Sequence, residues 1–209
     1  MKTKMLFFSI IATLVVSVSV WAQSKATYGI RAGVNFQNLN GKDSDGDNLN
    51  NDLKTGFNAG VNAEIPVGID FYLQPGLLFS TKGAKYDFQG VEATRSISYL
   101  ELPVNFLYKP ELGKGRLLLG FGPYAAFAVG GKIKSGNTDI DMDFGNEVGE
   151  TKPFDAGANL LAGYECTNNF SFQLNAGLGL TNMYNRPAGD DESSLKNTGF
   201  GVSLGYRFK

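Results

Sequence analysis

The chain has 209 residues, 27 of them glycine, with 12% aromatics, one cysteine and a formal net charge of -1. No basic run stands out, which argues against a nucleic-acid partner. The absence of histidine excludes catalysis that relies on a histidine general base.

Residues 1–22 read as a secretory signal peptide. Lys2 and Lys4 give a positive start, Leu6 to Val20 an apolar run, and Val20-Trp21-Ala22 a small residue before a cut at Gln23. The apolar run is shorter than the roughly 20 residues that a spanning helix needs. No cysteine sits at the cut, so a lipoprotein is not expected. Beyond Ala22 no segment is apolar enough for a spanning helix, and the mean hydropathy is -0.13. Residues 23–209 have the length of one domain.

That domain reads as eight strands, at about 27–36, 55–67, 70–82, 95–108, 116–130, 152–165, 169–182 and 196–208. Successive side chains of a strand point to opposite faces, so a strand at an interface alternates in polarity. The first strand puts Tyr28, Ile30, Ala32, Val34 and Phe36 on one face and Gly29, Arg31, Gly33 and Asn35 on the other. The second sets Phe57, Ala59, Val61, Ala63 and Ile65 against Asn58, Gly60, Asn62 and Glu64. The pattern persists to the last, where Phe200, Val202, Leu204, Tyr206 and Phe208 oppose Gly201, Ser203, Gly205 and Arg207. Pro75 and Pro103 remove ladder donors and mark places where a bulge is expected.

The polar face is rich in Gly, Asn, Ser and Gln, which suits the interior of a narrow barrel better than an open, Lys- and Glu-rich surface. Short links follow strands two, four and six, and long polar links follow strands one, three, five and seven. Even strand number, alternating link length and alternating polarity imply an all-β fold: an eight-stranded, antiparallel, closed transmembrane β-barrel behind a cleaved signal peptide. Both termini would then be periplasmic and the long loops extracellular. Two aromatic girdles should result. One holds Tyr28, Phe71, Phe106, Tyr108, Tyr164, Phe170, Tyr206 and Phe208, and the other Phe36, Phe57, Phe79, Phe127, Phe154 and Phe200.

The stretches Tyr28-Gly-Ile-Arg-Ala-Gly-Val-Asn-Phe36, Leu73-Gln-Pro-Gly-Leu-Leu-Phe-Ser-Thr-Lys-Gly83, Tyr99-Leu-Glu-Leu-Pro-Val-Asn-Phe106, Gly122-Pro-Tyr124 and Leu204-Gly-Tyr-Arg-Phe208 resemble the PorT-like outer-membrane β-barrel family of Bacteroidetes. The resemblance covers nearly all of the mature chain and implies the fold and an outer-membrane location. The family's named member is associated with type IX secretion and gliding, and no residue here separates a secretion component from its relatives. Tyr206 and Phe208 resemble the terminal signal read by the barrel-assembly machinery, here followed by Lys209.

Three places invite chemistry. Arg31, Glu64, Glu101, Asp155, Glu165 and Arg207 point inward by strand parity, and buried charges must be paired or they cost several kcal/mol each. A plugging charge network is expected, with Asn35, Asn62, Gln74, Asn105 and Asn175 filling gaps. The loop Asp43 to Asp52 sets Asp43, Asp45 and Asp47 at alternate positions, like the start of a calcium loop. It departs from that pattern, since Gly46 precedes Asp47 and Lys54 stands where a bidentate Glu belongs. A solvated acidic loop is the simpler reading. Weak Ca2+ binding or divalent bridging to lipopolysaccharide, with Asp52 contributing, is the alternative, and no other cofactor is implied. Asp139, Asp141 and Asp143 fit a strand extension beyond the membrane. Cys166, alone in a predicted turn, reads as incidental.

Nothing marks a substrate cleft, so an enzyme is not expected. The leading expectation is a structural or surface-interaction platform in contact with outer-membrane lipid and lipopolysaccharide. The alternative is an accessory of a secretion machine that docks through its periplasmic side. A narrow ion channel comes third.

Overall fold

The computed structural model describes residues 26–208 apart from 89, 137 and 186–191. The expected signal peptide lies outside the described residues. Ten strands follow in chain order: β1 (Thr27–Lys42), β2 (Asp52–Gly68), β3 (Phe71–Phe88), β4 (Val91–Tyr108), β5 (Glu111–Leu112), β6 (Gly115–Ser135), β7 (Thr138–Asp141), β8 (Phe154–Glu165), β9 (Phe170–Gly179) and β10 (Ser194–Arg207). Eight of them form an antiparallel ring in the order β1-β2-β3-β4-β6-β8-β9-β10. The ring closes because β1 pairs with β10 (Gly33 opposite Ser203) and β4 pairs with β6. β5 and β7 are short additions, each paired to β6. Closure satisfies every strand's neighbours and leaves no free edge on the ring.

Lumen-facing glycines let neighbouring backbones approach closely. A β-carbon on Gly122 would run into the Val104 carbonyl, and one on Gly33 into Ser203. The turn between β2 and β3 is made by Ile69 and Asp70, one residue later than its Gly68-Ile69 sequence reading, with Asp70 at φ 59°. Asn169, at φ 66°, bends the β8–β9 turn.

The register corrects one expectation. β3 pairs with β4 in one unbroken register on both sides of Pro75 and Pro103, so neither proline makes a bulge there. The shifts lie at Leu53/Asn58, Pro66/Gly68 and Ser98/Tyr99. At the first, the hydroxyl of Thr81 accepts the Phe57 N–H at 2.8 Å in place of the ladder.

Several strands run past their expected ends. β3 and β4 continue to Phe88 and Val91, so their link is a tight hairpin and not the long loop inferred from sequence. β6 spans 21 residues, whereas a membrane-crossing strand needs about 9–11. Its tip turns back as β7, where Asp139 and Asp141 face Lys134 and Lys132; the expected strand extension holds these two aspartates but not Asp143, which lies beyond the end of β7. β9, by contrast, ends at Gly179 and not at 182.

The extra length changes the barrel's polarity. Phe36 lies 5.4 Å from Phe200 and Phe57 lies 5.7 Å from Phe79, ring to ring, toward the end that carries the loops. At the opposite end, beside the short turns, Phe71 stacks on Tyr108 and Phe170 meets Tyr206, each pair at 4.9 Å. Between these two girdles the outer face is apolar and exposed, and the inner face is polar. Beyond the loop-end girdle the outer face of β1, β3, β4 and β10 turns polar, with the cross-strand pairs Asn38–Thr198, Asn40–Lys196 and Thr81–Ser98. There the inner face is a buried apolar cluster built on Leu39, Ile97, Tyr99, Tyr124, Met183 and Leu195, against which Leu49, Met142 and Phe144 pack from the loops.

Candidate functional site

The lumen is built from residues that strand parity turns inward, and it is layered along the barrel axis. Nearest the turns, the ammonium of Lys109 lies 2.6 Å from Glu64 and 3.0 Å from Glu165. Arg207 pairs with the same Glu64 and donates to the Asn62 carbonyl oxygen at 2.8 Å. The Gln74 amide donates to Glu64 at 3.2 Å. Strands β2, β3, β8 and β10 and the residue that follows β4 are thus tied across the lumen, and two cations balance two carboxylates. Lys109 and Glu64 are almost wholly buried, at 3% and 2% exposure.

Nearer the loops a second layer forms around Lys82, which lies 2.7 Å from Glu101 and 3.5 Å from Asp155. Its ammonium also sits 4.2 Å from the centre of the Tyr124 ring, a favourable cation–π geometry. Asp155 is fully buried and accepts from the Tyr124 hydroxyl at 3.0 Å and the Asn197 amide at 2.8 Å. The apolar cluster closes over this layer. Met183 contributes its thioether, which accepts from the Tyr99 hydroxyl at 3.0 Å.

Between the layers lies a cavity of about 60 Å³ lined by Arg31, Asn35, Asn58, Ser80, Asn105 and Asn175, among others. That volume has room for a few water molecules. Arg31 donates to the Asn175 carbonyl oxygen at 3.1 Å, and Asn175 in turn donates to Ser203.

All six charges expected inside therefore line or cross the lumen, but in two groups. Glu64, Glu165 and Arg207 meet in one layer, Glu101 and Asp155 in the other, and Arg31 stands between them. Arg31 and Arg207 do not act together, although their strands are neighbours, since Arg31 faces Gly205 and Gly29 faces Arg207. Sequence reasoning missed Lys82 and Lys109. Lys82 continues the inward parity of Gln74, Leu78 and Ser80, while Lys109 continues that of Glu101 and Asn105. A charge count held the signal: four inward acids against two arginines left two cations to find.

In the first loop, the Asp43 carboxylate accepts the N–H groups of Asp45 and Asp47 at 3.0 Å each, so it caps its own turn. Asp52 begins β2 and lies opposite Lys85. Among the described residues no three acidic, histidine or cysteine side chains gather as a metal site. Tyr206 packs between Phe170 and Phe208, whose ring lies 5.2 Å away, within the turn-end girdle.

An apolar belt between aromatic girdles, a closed ring and a polar interior define a membrane-spanning β-barrel. The chain belongs to the family described as outer membrane protein beta-barrel domain, whose model matches residues 21–185. It is similar at low identity to solved outer-membrane proteins. Ail, the attachment invasion locus protein of Yersinia pestis, is 14% identical with a TM-score of 0.42 over 88% of this chain and 99% of that one. Neisserial surface protein A is 10% identical with a TM-score of 0.47 over 88% and 100%. A major outer membrane protein from Thermus thermophilus is 19% identical with a TM-score of 0.43 over 88% and 100%. No curated protein matches the chain.

Proposed function

We propose that this outer-membrane barrel is a non-catalytic surface platform, with its termini in the periplasm and its loops outside the cell. The observation that carries the reading is the blocked lumen. Two layers of ion pairs and an apolar core fill the passage, while the barrel wall continues beyond the membrane as a rigid stem for the loops. A stem of this kind spends its interior on rigidity and presents its loops at the tip. The test is single-channel recording in planar bilayers. The reading expects no conductance above the bare bilayer, and steady unitary steps from the purified protein would overturn it.

A second reading, a secretion accessory of the PorT-like kind, is favoured by one feature at the turn end. Ile69 is 90% exposed and Leu112 is 54% exposed, beyond the girdle where lipid contact ends. Crosslinking in intact membranes followed by mass spectrometry tests it. Recovery of defined secretion subunits, lost in Ile69→Ser and Leu112→Ser variants, would select this reading. Recovery of lipid and abundant neighbours alone would reject it.

A further inference from the structure

Three prolines interrupt one side of the barrel wall at nearly the same height. Pro75 on β3 lies midway between the girdle residues Phe71 and Phe79. Its register sets it opposite Val104 on β4 and, between the pairs Asn62–Gly76 and Ile65–Leu73, opposite Ala63 on β2. The β4–β6 register, continued one residue past the pair Pro103–Tyr124, sets Val104 opposite Pro123. Ala63, Pro75, Val104 and Pro123 thus form one row across four neighbouring strands, and Pro103 stands in the next row, opposite Gly76. The other ring strands on the far side, β1, β8, β9 and β10, contain no proline.

A proline has no N–H to give to a ladder. In an antiparallel sheet, successive residues turn their backbone groups to alternate neighbours. A β-carbon on Gly122 would run into the Val104 carbonyl, so that carbonyl points at β6, where Pro123 has no donor for it. By alternation Pro103 turns to Gly76 and Pro75 to Ala63, so the Gly76 and Ala63 carbonyls lose their ladder donors too. Inside the lumen, at this height, a side-chain strap crosses β2, β3 and β4. The Asn105 amide donates to Gln74 at 3.4 Å and the Gln74 amide to Glu64 at 3.2 Å, where Lys109 and Arg207 anchor it. The strap stops at β4, because the next inward residue, on β6, is Gly122. At this end the buried Asn105 side-chain oxygen has no hydrogen-bond partner among the described residues. Asn105 and Tyr124 also line the lumen cavity, which therefore lies behind this stretch of wall.

We propose that the barrel has a built-in lateral opening: the β4–β6 seam parts locally at Val104 and Pro123, and the Glu64–Gln74–Asn105 strap holds the neighbouring ladders shut. A backbone carbonyl without a donor costs free energy in a wall that faces hydrocarbon. Parting the strands at this place lets water from the cavity reach the Val104 carbonyl, so the closed wall loses part of its advantage here and nowhere on the proline-free side. Local opening follows the least stable hydrogen-bonded unit of a fold. The opening joins the cavity to the wall sideways and leaves both ionic layers across the axial passage. It therefore stands independently of the platform reading.

The test is hydrogen–deuterium exchange of the folded barrel in detergent micelles, read peptide by peptide. In the parent protein, residues 100–107 and 119–126 should exchange faster than 171–178 and 199–206, although all four stretches lie between the girdles. Pro123→Val supplies the missing donor and should slow 100–107 and 119–126 by about five-fold, the worth of one added hydrogen bond. Ala176→Val, an equally outward change in an intact ladder, should slow neither. Gln74→Leu cuts the strap and should speed exchange across 58–79 and 100–107 while leaving 199–206 unchanged. Equal protection of the four stretches in the parent protein overturns the proposal, whether or not the variants fold. Unchanged exchange in folded Pro123→Val overturns it too, and a Gln74→Leu effect spread evenly around the barrel removes the strap from it.

Discussion

Leu174 and Ile97 are aliphatic residues of barrel strands, yet Leu174 is 61% exposed while Ile97 is fully buried. Leu174 points out of the barrel between the girdles, and Ile97 points into it beyond them. The two halves of one wall obey opposite rules because their surroundings differ. Between the girdles the outside solvent is hydrocarbon, so apolar side chains face out and the narrow interior takes polar groups that satisfy one another. Beyond the loop-end girdle the outside is water, and the same strands bury their apolar residues as a soluble barrel does. The lesson is that sidedness in a β-barrel belongs to a depth, and a single strand can carry both arrangements.

This contrast can be broken in several places. The largest effect is expected at Lys109→Met, which leaves Glu64 and Glu165 without their shared cation. Removing one partner of a buried pair costs about 3–5 kcal/mol. Urea titration of the folded barrel, read by the heat-modifiable gel shift, should show it, and an unchanged midpoint would remove charge pairing from the account of the turn-end half. Next, Ile97→Ala should cost about 2–5 kcal/mol as a core truncation. Leu174→Ala should cost much less, because lipid fills the space. Equal losses at the two sites would erase the distinction between halves.

A charge on the outer face sharpens the boundary itself. Leu174→Arg or Val61→Arg, between the girdles, should cost about 2–4 kcal/mol and depress folding yield. Ser98→Arg, also outward but beyond the girdle, should stay within about 0.5 kcal/mol, as surface changes do. Matching yields for Ser98→Arg and Leu174→Arg would place the boundary wrongly. The smallest effect is expected at Asn48→Arg in the first loop, where folding yield should match the parent protein.

The legible part of this fold was local. Tyr28 to Phe36 and Phe200 to Phe208 announce their faces through a period of two, and that period places Glu64, Glu101, Asp155, Glu165 and Arg207 inside without any long-range information. Lys109 escaped because it sits beside Pro110 at a strand end, where a lysine reads as a solvated turn residue. Lys82 escaped because the predicted strand stopped there, although β3 continues to Phe88. Met183 lies outside any strand, so no periodicity could assign it to the core. The loop-end core escaped for a related reason: Leu39, Ile97 and Leu195 sit beyond the expected strands or at their edges.

The sequence by itself determined the alternation, the even strand count and therefore the closed barrel, because these follow from side-chain geometry repeated along each strand. Tertiary structure alone decided how far the strands run past the girdle, how the lumen charges sort into two layers, and which loop residues fold inward. Those outcomes depend on which residues meet across the lumen at a given height, and that height is set by strand register and tilt, which no single strand encodes.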